Sequence, residues 1–253
     1  MTEWYIREYR CRNGITMKTK FPVRTDGKNY TRQYRREIRR GERKATQAKH
    51  EAARLINNNF RADRDVYLGL DYSDKGIRKL ETRAGTDGRD EIYFSAGQEI
   101  VNFIRRVKRA CQKAGIEFKY VFVTSDRDGK TMDPVRVHHH MIVNKEAAEI
   151  CQQKWTAGGT WSKTLWSAHA GDLTDISDYM VGQVRHIKDA KSYTPSRNLE
   201  RAEARPPVKS RNPNAELRCP AGCMQLYRSE YYYGRPQYLR YFRPPNAADD
   251  DEE

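Results

Sequence analysis

Hydrophobic and polar positions alternate most clearly over residues 66–72, where Val66, Leu68, Leu70 and Tyr72 interleave with Tyr67, Gly69 and Asp71. That period of two predicts a strand. A polar, glycine-containing stretch follows from Ser73 to Asp90, and Ser95-Ala96-Gly97-Gln98 then has the form of a capping box. Behind it Ile100, Phe103, Ile104, Val107 and Cys111 recur at helical spacing up to Gly115. A helix is predicted there, with Arg105, Arg106, Lys108, Arg109 and Lys113 on its outer face. Two further strand-like runs, Ile116–Ser125 and Val135–Val143, are joined by a polar connection containing Asp128-Gly129 and Pro134, the pattern of a long-looped hairpin. Asn144 is placed to cap a helix reaching about Trp155, which Gly158-Gly159 breaks. Another helix is predicted from about Leu173 to His186, with Leu173, Ile176, Met180 and Val184 as its apolar stripe. Beyond Ser192 the chain turns to Pro, Arg and Asn, and Arg205-Pro206-Pro207 and Arg211-Asn212-Pro213-Asn214 read as linker.

The pattern predicts an α+β fold, a central and mainly antiparallel sheet with helices packed on it, over residues 65–200. A basic, partly helical arm at 1–64 precedes it. A polar extension rich in Pro, Arg and Tyr, with an acidic tail, follows at 201–253.

Composition sharpens this picture. Only 37% of the 253 residues are hydrophobic against 32% charged, and the longest apolar runs are short, such as Met141-Ile142-Val143, so no membrane span is predicted. The polar start Met1-Thr2-Glu3-Trp4 lacks the apolar run of a secretory leader, and the five scattered cysteines predict reduced thiols and a cytoplasmic location. The net charge is +14 although the last five residues, Asp249 to Glu253, are all acidic. Such a surplus predicts a polyanionic partner, and nucleic acid is the commonest. Residues 1–64 hold 18 Lys and Arg against 7 Asp and Glu. Within them Arg32, Arg35, Arg36, Arg39, Arg40 and Arg43 are spaced so that all six share one helical face, either a solvated surface or a stripe for a phosphate backbone.

The sharpest local feature is Val135-Arg136-Val137-His138-His139-His140-Met141-Ile142-Val143. In a strand His138 and His140 share one face while Val137, His139 and Met141 share the other. Two imidazoles on one face either bind a divalent metal together or are ordinary half-buried histidines. A metal needs further ligands, and if the two predicted strands pair as a hairpin, Asp126 comes near the pair; Asp71 is its rival. In the later helix Asp175, Tyr179, Gln183 and His186 form a polar face with Tyr179 at its centre. A phenol there either covers the core edge or serves as a nucleophile beside a metal. In the last fifth of the chain, Tyr231, Tyr232, Tyr233, Tyr238 and Tyr241 alternate with Arg235 and Arg240, suited to stacking on unpaired bases or to docking as a strand on the core.

The order of these motifs resembles the HUH endonucleases, specifically the rolling-circle replication initiators of small bacterial plasmids and phages. The resemblance is carried by Ile56-Asn57-Asn58-Asn59-Phe60 leading into Tyr67-Leu68-Gly69-Leu70-Asp71-Tyr72, by Arg136 to Val143, and by Asp178-Tyr179-Met180 followed by Ser192 to Leu199. It spans roughly residues 55–200. The chain has Gly69 and Asp71 where threonines are usual, and Gly182 where a lysine is usual, with Gln183, Arg185 or Lys188 as candidate replacements. The resemblance implies that His138, His140 and Asp126 hold Mg2+ or Mn2+ and that Tyr179 attacks the scissile phosphate, leaving a 5'-phosphotyrosine and a free 3'-hydroxyl. It implies single-stranded or origin DNA as substrate, contacted by the arginine stripe together with Arg136, Arg185, Lys188 and Arg197, and a host helicase and polymerase as partners. A single-tyrosine transposase or a mobilisation relaxase would use the same chemistry; a basic nucleic-acid-binding protein without catalysis would use none of it.

Overall fold

The computed structural model describes residues 2–24, 40–185, 191–232 and 234–247, with backbone alone at 40–45. Arg32, Arg35, Arg36, Arg39 and Lys188, expected to bind DNA, lie outside the described residues, and Arg40 and Arg43 lie where only backbone is described. The fold is α+β, with two antiparallel sheets and, among the described residues, five helices packed on them. No helix among the described residues is long and apolar enough to cross a membrane.

The strands of one sheet are β3 (Val66–Asp71), β4 (Tyr120–Arg127), β5 (Pro134–Val143), β6 (Thr160–Thr164) and β7 (Thr194–Pro195), in the order β6-β3-β5-β4-β7. One face carries Leu68, Leu70, Met141 and Val143, buried beneath Phe103, Val107 and Cys111 of α3 (Arg89–Lys113) and Ala147 and Cys151 of α4 (Lys145–Lys154). The other carries Tyr67, Val121, Val123 and Ile142 against Ile56 and Phe60 of α1 (Arg40–Asn59) and Met180 of α5 (Thr174–Gly182), with Leu173 and Val184 flanking that last helix. The three inner strands β3, β5 and β4 therefore feed two apolar layers by simple alternation. The helical stripes expected from the sequence are the residues that meet them.

Three expectations are corrected. Part of the polar stretch Ser73–Asp90 is a helix, α2 (Asp74–Ala84), capped by Ser73 Oγ accepting from the Gly76 amide. Its apolar contribution is little more than Ile77 and Leu80, too sparse for a stripe to announce it. The expected capping box is not a helix start, because α3 already begins at Arg89 and Ser95 Oγ instead donates to the Leu80 carbonyl, tying α3 to α2.

The third correction concerns the chain ends. The expected arm opens with a β-hairpin, β1 (Thr2–Arg10) and β2 (Ile15–Arg24), and the expected extension supplies β8 (Glu203–Ala204), β9 (Val208–Lys209), β10 (Met224–Arg228) and β11 (Gln237–Phe242). All six strands form the second sheet, in the order β10-β11-β2-β1-β8 with β9 also on β1. Buried polar side chains such as Lys20, which finds partners inside the sheet, hide it from a hydropathy pattern. Lys20 is buried, its ammonium donating to the carbonyls of Asn212 (2.8 Å) and Ala215 (2.6 Å). Tyr238 and Tyr241 are buried too, so these tyrosines dock as a strand and are not free to stack on bases.

Candidate metal and nucleophile site

The β5 register places three histidines in two environments. Opposite His138 stand Asp71 of β3 and Ser125 of β4; opposite His140 stand Gly69 and Val123; and His139 faces Leu70 and Thr124. Directly paired residues share a face, so His138 and His140 look toward α5 and His139 looks into the layer beneath α3. His139 is fully buried, with Nε2 2.9 Å from the Tyr72 hydroxyl and Nδ1 2.9 Å from Thr124 Oγ1. Burial pushes its pKa down to about 3, so it is a neutral structural group.

On the other face, His138 Nε2 and His140 Nε2 are 3.1 Å apart. Gln183 Oε1 lies 3.2 Å from the same His140 nitrogen. The surrounding hydrogen bonds orient these atoms. His138 Nδ1 is 2.9 Å from the Arg136 carbonyl, which can only accept, so Nδ1 carries a proton and Nε2 is the nitrogen turned toward His140. Gln183 Nε2 donates to the Tyr179 carbonyl at 3.1 Å, which turns Oε1 toward the histidines. His140 Nδ1 meets the Tyr67 hydroxyl at 2.7 Å, a group able to donate or accept. Burial, with the neighbouring His138, lowers the His140 pKa to about 4. Two imidazole nitrogens and an amide oxygen can therefore converge on one positive centre, and this donor set fits a divalent ion that completes its shell with water. Among the described residues no group of three His, Cys, Asp or Glu side chains converges in this way, and the third donor here is an amide.

Tyr179 precedes Gln183 by one helical turn and so faces the same way. Its ring centroid is 5.8 Å from that of His140, and its side chain is 42% exposed, accessible to a ligand. The phenol lies against the β4–β5 loop at Gly129, where an added Cβ would stand 2.5 Å from the hydroxyl oxygen. The expected turn glycine thus makes room for the tyrosine. At Gly182 there is also space, and Lys49 of α1 enters it, its ammonium 3.6 Å from where a Cβ would be. A cation therefore reaches this helix surface from a neighbouring helix.

Asp126, expected as the third ligand, has other partners. Its carboxylate is 3% exposed and is held by Arg89 Nε at 2.6 Å and Arg185 at 2.8 Å, not by the histidines. Ser125 is the residue opposite His138, and a bulge between Ser125 and Arg127 carries Asp126 out of the ladder. Asp71 is the carboxylate residue in register with His138. Arg185, expected on DNA, is instead engaged by Asp126 and Asp90 and lies over the Tyr93 ring. Arg136 pairs with Asp74 at 2.8 Å just beyond His138, while Arg197 is exposed and lies near Tyr120, at the other end of β4. Tyr67 is not among the site residues expected from the sequence, although its parity with Gly69 and Asp71 puts it on the site's face.

Comparison with family models, with curated proteins and with solved structures gives no match to this chain.

Proposed function

We propose that the protein is a metal-dependent, tyrosine-nucleophile endonuclease for single-stranded DNA, which nicks and rejoins to start rolling-circle replication of a plasmid or phage in a bacterial cytoplasm. The observation that carries this reading is the meeting of His138 Nε2, His140 Nε2 and Gln183 Oε1 one helical turn from an exposed Tyr179. His138, His140 and Gln183 would hold Mg2+ or Mn2+, and two imidazoles tilt the preference toward Mn2+. Bound there, the ion would polarise the scissile phosphate and offset charge in an in-line displacement. Tyr179 loses its hydroxyl proton and bonds to phosphorus, and the 3'-oxygen leaves with a proton as a primer end. The phosphodiester is exchanged for a phosphotyrosine, so rejoining needs no nucleotide triphosphate. The packing of α5 on the sheet through Met180 fixes the phenol, and an ångström of misplacement costs ~100-fold. The choice of replication over transposition or mobilisation, and of a host helicase and polymerase as partners, rests on the motif order over roughly residues 55–200.

The test is adduct formation on single-stranded oligonucleotides in Mn2+. Tyr179→Phe is expected to bind DNA and metal and to give no covalent adduct. An adduct on the Tyr193 peptide, or any adduct from Tyr179→Phe, overturns the assignment.

A further inference from the structure

The outer strand β6 puts an aromatic ring and a cation beside the histidine pair that the reaction does not use. Gly69 pairs with Trp161 on one side and His140 on the other, and Tyr67 pairs with Lys163, so all five side-chain positions belong to one face of the sheet. Gly69 is what lets the indole reach inward. An added Cβ there would stand 2.0 Å from Trp161 Cε2, so the ring lies over bare backbone. Its centroid is 5.3 Å from Tyr67 and 6.1 Å from His140, both with the rings edge to face.

Trp161 is not packed as a core tryptophan is. Trp155, by contrast, is 5% exposed with its indole nitrogen donating to the Asp71 carbonyl at 2.9 Å. Trp161 is 37% exposed, and its indole nitrogen has no hydrogen-bond partner among the described residues. Lys163 Nζ stands over the Trp161 ring, 5.9 Å from its centroid, and no carboxylate is paired with it among the described residues. A ring propped from beneath, more than a third exposed and with a mobile-chain cation above it that a phosphate can draw aside, presents what an unpaired nucleotide needs, a stacking surface and a charge for its phosphate.

We propose that Trp161 stacks a base next to the scissile phosphate and that Lys163 takes a neighbouring phosphate, so that the single strand crosses β3 at Gly69 on its way to Tyr179. The inference rests on the nuclease reading above and adds the path of the strand.

The experiment measures binding by fluorescence anisotropy, with Mn2+, in the full chain carrying Tyr179→Phe. Its probes are a labelled dT15 and a labelled 15-mer of abasic residues, which has the phosphates without the bases. Trp161→Leu is expected to weaken dT15 binding about tenfold, within the range one stacked base supplies, and to leave the abasic probe unchanged. Trp161→Phe keeps a ring over Gly69 and should recover most of the loss. Lys163→Ala should weaken both probes and lower the salt slope by ~0.7. Trp166→Leu removes a 72% exposed tryptophan just beyond β6 and should change neither. Melting curves screen each variant for folding. If Trp161→Leu melts like the parent and binds dT15 equally, or weakens both probes alike, the stacking role is overturned while the nuclease reading stands. If the parent binds neither probe and the unmutated chain gives no adduct, both fall together. If Trp161→Leu instead breaks up a dimer in sedimentation, the edge belongs to a second copy of this chain.

Discussion

His139 and His140 are adjacent, chemically identical, and almost equally buried, yet their ring nitrogens meet different partners. His139 has both nitrogens taken by side-chain hydroxyls within its layer, from Tyr72 and Thr124. His140 has one nitrogen taken by Tyr67 and the other aimed at His138 and Gln183. Burial alone therefore does not separate the two; what separates them is whether the second nitrogen meets a hydroxyl or the nitrogen of a second histidine and an amide oxygen. The difference arises from strand alternation, since successive side chains point to opposite faces of the sheet.

The largest effect expected from this contrast is loss of function at one position and loss of stability at the other. His140→Ala should abolish Mn2+ binding in calorimetric titration and with it adduct formation. His139→Leu should keep Mn2+ binding but leave the Tyr72 and Thr124 hydroxyls without a partner, at about 1–3 kcal/mol for each group left unpaired. Equal loss of Mn2+ affinity in two well-folded variants would erase the distinction between the faces.

The distinction between the two faces is legible in the amino-acid sequence because strand alternation is a local rule, and so is the α5 stripe that anchors Tyr179. Asp126 misleads because its place depends on register. Ser125 stands opposite His138, and a long connection between two strands does not specify that pairing in the sequence. The terminal sheet is hidden for a different reason. Its pairs join residues such as Tyr5 and Lys209, far apart in the chain, and the buried Lys20 finds its carbonyl partners only once both ends have met. Gln183 is visible as part of a polar helical face, but the direction of its amide oxygen depends on the bond its Nε2 makes to the Tyr179 carbonyl.

A next effect in size tests whether Asp126 belongs with His139 or with His140. Asp126→Ala removes the carboxylate between Arg89 and Arg185. Breaking a fully buried pair costs ~3–5 kcal/mol, and the half-exposed Arg89 reduces this to about 2–3 kcal/mol. Denaturant unfolding should show that loss while Mn2+ affinity stays unchanged. A weakened Mn2+ titration in the folded variant would return Asp126 to the metal.

Acid should probe His139 more gently. The folded pKa of His139, about 3, lies below the ordinary value near 6.5, so between these limits the unfolded chain binds more protons than the folded one. Its contribution is complete above pH ~6.5 and is withdrawn as pH falls toward the folded value, the loss reaching about 2 kcal/mol at pH ~5. His140 and His50, each lowered to about 4 chiefly by burial, act in the same direction. Melting temperatures measured from pH 8 to pH 4 should therefore fall, and His139→Leu should flatten the fall by the share of one proton. Parallel curves for the two proteins would mean that His139 does not remain neutral in the folded state.

The finest division between the two histidines lies in their tyrosine partners. Tyr67 and Tyr72 sit on opposite faces of the β3 segment and each bonds one imidazole, at 2.7 Å and 2.9 Å. Tyr67→Phe keeps the ring stacked on His140, at 5.5 Å and 17°, and removes only the hydroxyl that steadies Nδ1 when Nε2 is turned to a cation. Loss of such a supporting hydrogen bond costs about 10-fold or more in metal affinity or activity. Tyr72→Phe removes the equivalent bond from His139, where no ligand depends on it, and should cost about 1 kcal/mol of stability with Mn2+ affinity intact. Measured together by Mn2+ calorimetry and denaturant unfolding, the pair should separate, with affinity falling in Tyr67→Phe and stability in Tyr72→Phe. If Tyr72→Phe weakens Mn2+ as much as Tyr67→Phe does, the sheet transmits between its faces and the two histidines act as one unit.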